Sequence, residues 1–332
     1  MAFLPHNTDM PTLIPYAAPP GPQCREAMAG LQLPNLARLL QSMTAEVTMA
    51  AGANQWTPLH ERLQARALGL PSADGLVPWA ARDALQLGMT RLHGAKGWAW
   101  ITPCHWTIQS AHVDMSDPAQ LALPLKEAEA LWIAMQPYFV EDGITLFAQP
   151  LEHLGTRWLA RGAVFEDLPT ASLERVAGQT IDRWAPGQTQ AQPLRRLQNE
   201  MQMLLYRHPV NEARAKFKLP DINSFWVSGT GTLPADFVAD NVATGTSPVS
   251  VHDSLSAPAR QDDAKAWTKA WETLDSTVLA RVNGQLQAKQ DVRLTLCGER
   301  QAVTLVPSEL PLWQRLQQRL RAPSPQQFLG TL

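Results

Sequence analysis

The spacing of apolar residues along the chain predicts several amphipathic helices. The clearest is Leu194–Tyr206, where leucine and methionine recur every three or four residues and fall on one narrow arc of a helix. The other helices are predicted from the same spacing, or from threonine and proline at a helix start. They cover Pro34–Met43, Thr57–Ala67, Val77–Leu87, Leu125–Met135, Pro209–Phe217, Ala264–Val282 and Leu310–Arg321.

Short apolar runs bounded by glycine, proline or polar residues predict strands between these helices. They cover Thr12–Tyr16, Trp98–Thr102, Ile144–Ala148, Arg157–Ala160, Ile222–Val227, Val292–Cys297 and Ala302–Val306. Strands that alternate with helices predict an α/β fold with a largely parallel sheet covered by helices. We expect a single α/β domain over residues 1–332. Asp236–Asp262 is polar and aperiodic and predicts a flexible loop, and residues 264–321 are expected to add a helix, two strands and a helix to the same core.

Charge and composition exclude several classes of protein. The 332 residues carry 28 lysines and arginines against 30 acidic residues, so no basic face for general nucleic-acid or anionic-membrane binding is expected. No apolar run approaches the ~20 residues of a membrane-spanning helix, and Met1–Pro22 does not resemble a signal peptide. Cys24, Cys104 and Cys297 form no C-x-x-C pair, which is typical of reduced thiols in a cytoplasmic protein.

Twelve tryptophans and 27 prolines are many for a chain in which only 17% of residues are charged. Tryptophan buries a large area and brings one N–H that needs a partner. The pattern favours a loop-rich core held together by aromatic rings, with a tryptophan-lined ligand groove as the alternative.

The first residues that could carry chemistry lie just after the Trp98–Thr102 strand. Cys104, His105, His112 and Asp114 are types that bind metals, although their spacing is not diagnostic. Cys104 and His105 are adjacent, so on an extended chain they point to opposite faces and cannot form a nucleophile–base pair. Three roles stay open: metal binding, ligand contact by His105 and His112, and a purely structural role.

A polar stripe follows the Leu194–Tyr206 helix at spacings of four, three and four residues. It consists of Arg195, Asn199, Gln202 and Tyr206. Such a stripe is usually a solvated face. Because this one has neither lysine nor a carboxylate, it is also suited to recognising a ligand by directional hydrogen bonds.

The next segment combines a short helix with a strand that ends in glycines. His208 precedes this helix, Asn211 and Arg214 lie on it, and the strand leads into Ser228, Gly229, Thr230 and Gly231. Glycine backbone and two hydroxyls can approach an oxyanion, and a guanidinium can clamp it with two donors. The alternative is a tight turn that binds nothing. The segment matches neither a Walker A loop nor a dinucleotide-binding fingerprint.

A fourth candidate is the pair Glu299 and Arg300. It follows the strand Leu294–Cys297 and a glycine, which places two charges at a strand end, where sites of α/β proteins collect. The alternative is a charged turn that only caps the strand.

Together these segments resemble the bacterial RpfE-type regulatory proteins. The resemblance extends from about Thr12 to about Val306 and is most specific over Gln198–Tyr206. It is carried by His105-Trp106, Arg195–Tyr206, His208–Asn211, Asn223–Gly231 and Leu294–Arg300. Members of this family are often labelled cofactor-independent phosphoglycerate mutases, so the resemblance implies a degenerate mutase-like core of the alkaline-phosphatase type.

The mutase pattern is matched only in part. The stretch from His208 to Gly231 resembles the mutase motif, with Ser228 where the mutase has arginine, and Leu33–Leu36 is similar to a Thr-Pro-Asn-Leu element of the wider superfamily. The resemblance implies two metals held by aspartate and histidine, together with a serine nucleophile. The first strand here ends in Tyr16-Ala17-Ala18-Pro19 without an Asp-Gly pair. Since two-metal phosphoryl chemistry depends on those ions, an enzyme is disfavoured and no cofactor is expected.

The sequence therefore predicts a cytoplasmic regulatory or ligand-sensing pseudoenzyme. It would bind a small anionic metabolite, bearing phosphate or carboxylate, near Arg195, Arg214 and Ser228–Gly231. One alternative is an active phosphoglycerate mutase or phosphohydrolase whose metal ligands lie elsewhere in the chain. The other is a scaffold that binds a protein partner through tryptophan-rich surface and the Asp236–Asp262 segment.

Overall fold

The structure is a computed structural model of the chain. It describes residues 11–52, 54–89, 96–147, 157–187, 189–234, 237, 248–308, 311 and 320–332. Over these residues, no helix combines the length and apolar character needed to cross a membrane.

Strands and helices alternate along most of the chain. The strands are β1 (Thr12–Ile14), β2 (Met43–Ala50), β3 (Gly97–Cys104), β4 (Trp106–Ile108), β5 (Val113–Met115), β6 (Thr145–Phe147), β7 (Trp158–Gly162), β8 (Gln179–Thr180), β9 (Ser224–Gly231), β10 (Ser250–Val251), β11 (Leu294–Cys297) and β12 (Gln301–Pro307). The helices are α1 (Pro22–Met28), α2 (Pro34–Ser42), α3 (Leu59–Ala67), α4 (Trp79–Gln86), α5 (Leu125–Glu141), α6 (Leu173–Val176), α7 (Gln192–Tyr206), α8 (Pro209–Lys216), α9 (Ser256–Arg260), α10 (Ala264–Leu274), α11 (Ala280–Gln287) and α12 (Pro325–Leu329).

The described backbone groups into two compact units, which we call unit 1 and unit 2. Unit 1 takes its residues from Met1–Asn54, Leu59–Leu68 and Thr246–Leu332, and unit 2 from Gln55–Pro58 and Gly69–Gly245. The predicted single domain over 1–332 stays a prediction beside this division.

Unit 1 is built on a five-stranded sheet in the order β10-β1-β11-β12-β2. Strand β1 pairs in parallel with β10 and β11, whereas β12 pairs antiparallel with β11 and β2. The core below it contains Trp267 and Trp271 of α10 and the leucines of α2. Helix α2 begins where the carboxylate of Asp275, in a π-helical turn, accepts hydrogen bonds from the N–H groups of Asn35 (3.1 Å) and Leu36 (2.9 Å).

Unit 2 contains two antiparallel sheets. One has the order β6-β7-β3-β9 and the other the order β4-β5-β8. The predicted arc of α7 is buried as expected, with Leu194, Leu197, Met201 and Leu205 in the core. Tryptophans 158 and 226 are fully buried, which is the pattern expected of a core held together by aromatic rings.

The α/β fold is confirmed, and the prediction of a largely parallel sheet holds only in part. Among the described strands, only the pairs that β1 makes with β10 and β11 are parallel. Alternating strands and helices predict parallel pairing only when each helix is a crossover within one sheet, whereas here β3, β7 and β9 pair antiparallel.

Two further expectations concern the second half of the chain. Of the predicted loop Asp236–Asp262, the described part holds strand β10 and helix α9, and the rest lies outside the described residues. Of the segment 264–321, the helices α10 and α11 and the strands β11 and β12 are present, and most of the last predicted helix lies outside the described residues.

Candidate functional site

The parallel strands β1 and β11 end side by side in unit 1. Ile14 pairs with Leu296, and just beyond them the N–H of Ala17 donates to the carbonyl oxygen of Cys297 at 2.7 Å. Ligands of α/β proteins commonly bind outside the carboxyl ends of parallel strands, because the chain leaves the sheet there and opens a crevice. The predicted pair Glu299 and Arg300 lies at this edge.

A groove of about 330 Å³ occupies this edge, and we call it the strand-end groove. It is formed by the loop after β1, by α1, by the turn after β11 and by the last turn of α12. Its lining residues are Ala18, Pro19, Pro20, Arg25, Met28, Glu299, Arg300, Leu329, Gly330 and Leu332.

Arg25 is positioned by the start of α1. The Asp262 carboxylate accepts hydrogen bonds from the N–H groups of Cys24 (2.9 Å) and Gln23 (3.0 Å) and so caps the helix. The bond from the Cys24 N–H holds the pKa of Asp262 below its usual value. The Arg25 guanidinium donates to the carbonyl oxygen of Pro20 at 2.8 Å, and Pro20 lies in the loop that follows β1.

Arg300 is positioned by the turn between β11 and β12. Its guanidinium donates to the carbonyl oxygen of Gly330, and its backbone N–H donates to an oxygen of Leu332 at 2.8 Å. The groove therefore has one arginine from α1, one arginine from the β11–β12 turn and one carboxylate, that of Glu299. Its lining places two guanidinium groups beside the apolar side chains of Met28 and Leu329, a combination that suits a small anion with a hydrocarbon part.

Arg214 does not have the environment expected of a residue that clamps an anion. Its side chain is fully buried, and its guanidinium donates to Glu127 (2.8 Å) and to the carbonyl oxygens of Pro220 (2.7 Å) and Leu121 (2.6 Å). Asn211 is also buried and exchanges hydrogen bonds with the backbone of Ile222. A ligand-contacting role for these two side chains is not supported, because their polar groups are used inside unit 2.

The Ser228–Gly231 segment lies within β9 and is not a loop. Ser228 pairs with Trp100 and Gly231 with Trp98, and a bulge lies between the two pairs. Thr230 is buried, and its hydroxyl is bonded to Thr170 (2.9 Å) and to the Leu168 carbonyl oxygen (2.7 Å). The glycines therefore serve strand pairing. Since Pro220 precedes β9 and each strand residue advances ~3.3 Å, Arg214 and Gly229 lie toward opposite ends of this strand.

His105 and His112 each have a carboxylate partner in unit 2. The Nδ1 atom of His105 lies 2.8 Å from Asp221 Oδ1, and the Nε2 atom of His112 lies 3.1 Å from Asp114 Oδ2. Cys104 is buried, which raises the pKa of its thiol. Within the part of the chain that the structure describes, these residues bring no three metal-ligating atoms together, so the geometry favours the structural role among the three left open.

The predicted polar stripe on α7 lies partly along a second, more open groove of unit 2. Arg195 and Asn199 line it, together with Gln190, Gln192 and Arg196, and Gln202 does not. The Arg195 guanidinium donates to the Pro186 carbonyl oxygen at 2.8 Å. A role of this stripe in ligand binding stays a prediction.

His208 is the N-cap of α8. Its Nδ1 atom accepts a hydrogen bond from the N–H of Val210 at 3.3 Å, and burial lowers the pKa of the imidazole. This contact explains its place in the sequence without a ligand.

Arg25 was not among the residues predicted from the sequence. The signal that could have identified it is local: proline at residue 22 after a glycine favours a helix start, which puts Arg25 one turn beyond the loop after β1. What could not be read from local pattern is that Arg300 would lie across the same groove.

Comparisons with known proteins give only a distant likeness. No protein-family model matches the chain, and no curated protein matches it. Among solved structures, a cofactor-independent phosphoglycerate mutase from Thermoplasma acidophilum DSM 1728 is 15% identical with a TM-score of 0.35, over 91% of this chain and 90% of that one. The PH0037 protein from Pyrococcus horikoshii is 13% identical with a TM-score of 0.39, over 90% and 87%. A likeness of this size assigns no role to any residue, and the RpfE-type resemblance stays a prediction.

Proposed function

We propose that this protein is a ligand-sensing or regulatory protein that binds a small anionic metabolite in the strand-end groove. The observation that carries the proposal is the placement of Arg25 and Arg300 on two sides of one groove at the carboxyl ends of β1 and β11. A guanidinium offers paired donors that match the oxygens of a phosphate or carboxylate. The metabolite is therefore expected to carry such a group and a short apolar portion.

The lining chemistry favours binding over covalent catalysis. Among the described residues that line the groove, none offers a hydroxyl, a thiol or an imidazole. A nucleophile and an adjacent base are the usual requirements for a covalent step, and the groove lining supplies only guanidinium groups, one carboxylate and apolar surface. The anion would be held by arginine donors without a bridging metal ion.

The test is the substitution Arg25→Gln, with binding of inorganic phosphate and 3-phosphoglycerate measured by isothermal titration calorimetry. Because a charge-assisted hydrogen bond contributes roughly 1.5–3 kcal/mol, we expect at least about tenfold weaker binding. The parent's affinity should be unchanged in EDTA, since no metal takes part.

Arg38→Gln is the matched control. Arg38 is exposed on α2 in the same unit, where its side chain bonds Asn35. Equal loss of affinity in both variants would point to bulk charge, and loss of binding in EDTA would support the metal-dependent enzyme instead.

A further inference from the structure

Two adjacent backbone donors meet one acceptor at the rim of the strand-end groove. The N–H groups of Arg300 and Gln301 both point at one oxygen of Leu332, at 2.8 and 3.0 Å. The guanidinium of Arg300 donates to a second oxygen of the same segment, the carbonyl oxygen of Gly330. Converging N–H groups beside a guanidinium are the donor set that proteins use for an oxyanion.

The acceptors belong to residues 324–332, which we call the 324–332 segment. Its apolar side chains Phe328, Leu329 and Leu332 are buried in unit 1. Two glutamine side chains tether it: Gln301 donates to the Thr331 carbonyl oxygen (2.9 Å), and Gln326 donates to the Leu31 carbonyl oxygen (2.6 Å). The segment therefore forms one wall of the groove and, at the same time, occupies the groove's donors on Arg300 and Gln301.

We infer that the N–H groups of Arg300 and Gln301 and the Arg300 guanidinium form an oxyanion subsite, which the 324–332 segment fills with oxygen atoms of Gly330 and Leu332. The inference rests on the proposed function and deepens it, because it assigns the ligand's phosphate or carboxylate to these donors and makes the segment its internal competitor. A ligand binds with an apparent dissociation constant that is raised when only a fraction of the molecules has the donors open. Loosening the segment should therefore tighten anion binding.

The experiment compares the full chain with the double variant Gln301→Ala/Gln326→Ala. This variant removes both side-chain tethers, keeps the backbone N–H of Gln301 and leaves the apolar core intact. Phe328→Ala is made alongside as a stronger way to release the segment. The control is Gln41→Ala/Gln290→Ala, which removes two glutamines that line a separate pocket of the same unit.

Inorganic phosphate and malonate are titrated separately, so that the two arms distinguish a phosphate from a carboxylate ligand. Amide hydrogen exchange at Arg300 and Gln301 reports release of the segment. We expect faster exchange at these amides, roughly threefold or greater tightening of one anion in the released variants, and parent affinity in the control.

The outcomes separate this inference from the proposed function. If an anion binds the parent, and binds the released variants with the same or lower affinity, the inference is overturned. The proposed function still stands, since the segment is then only a wall of the site. Exchange that rises in neither variant overturns it as well, because the segment is then not displaceable. Failure of both anions to bind parent and variants alike defeats the proposed function, and the inference with it.

Discussion

Arg214 is the residue whose environment differs most from its predicted one. Arg214→Ala would leave the partly exposed Glu127 carboxylate without this partner and would remove a donor from the buried Leu121 carbonyl oxygen and from the part-buried Pro220 carbonyl oxygen. Removing one member of a buried ion pair costs about 3–5 kcal/mol, so we expect the free energy of unfolding to fall by about 3 kcal/mol. Urea unfolding of the full chain, followed by tryptophan fluorescence, measures it.

Arg207→Ala is the control for this substitution. Arg207 is exposed just after α7, where surface substitutions change stability by about 0.5 kcal/mol or less. If Arg214→Ala is equally mild but weakens anion binding tenfold, the original view of Arg214 as a ligand clamp is restored.

His208 gives unit 2 a pH dependence of known sign. Burial lowers the pKa of His208 below its usual 6.5, so on acidification the unfolded chain takes up this proton before the folded chain does. The contribution to stability is therefore complete above about pH 6.5 and is lost as the pH falls toward the lowered pKa. His208→Asn keeps an N-cap acceptor and should remove this part of the dependence.

The measurement is urea unfolding of both proteins between pH 7.5 and 5. On acidification, the free energy of unfolding of the parent should fall relative to that of His208→Asn. Gln202→Ala leaves the cap of α8 intact and removes no titratable group, so it should follow the parent. If the free energies of unfolding of the parent and of His208→Asn depend on pH in the same way, folding does not change the pKa of His208.

At the scale of the element, the glycines of β9 illustrate how one sequence feature can have two readings. Gly229 has a φ of 64°, and a Cβ built there would lie 2.8 Å from Cε3 of Trp100. Glycine is thus required by the bulge and by the indole packed against it, not by an anion. Gly229→Ala should cost about 1–3 kcal/mol through backbone strain and overpacking, measured by urea unfolding.

Gly143→Ala separates the two causes. Gly143 has a similar φ of 71°, but no atom lies within 4 Å of its built Cβ. Its substitution should carry only the left-handed backbone cost of about 1–2 kcal/mol. Equal losses at both positions would mean that the Trp100 ring moves aside without cost.

At the scale of the whole molecule, the two units differ in what their polar residues do. Unit 2 buries Arg214, Asn211 and Thr230, which hold strands and helices together. In unit 1 the parallel strands β1 and β11 end at one edge, where the strand-end groove takes Arg25 from α1 and Arg300 from the turn after β11. The candidate site therefore follows the parallel pairing, although most of the described pairing is antiparallel.

The sequence alone determined the local elements. The apolar arc of α7, the strands β3, β9, β11 and β12, and the Glu299–Arg300 pair at a strand end all follow from side-chain period and from glycine and proline, which act over a few residues. Strand β2 and helix α1 were missed. Strand β2 is largely exposed and lacks an apolar run, and α1 buries only Cys24.

The tertiary structure decided which residues meet. Arg214 pairs with Glu127, 87 residues away, and Arg25 shares a groove with Arg300 from the other end of the chain. Strand direction was decided in the same way, because an alternating pattern fixes which side of a strand is buried but not which strand pairs with it. Whether an arginine or a threonine serves a ligand or the core depends on such distant partners, since burial forces each polar group to use whatever donor or acceptor lies beside it.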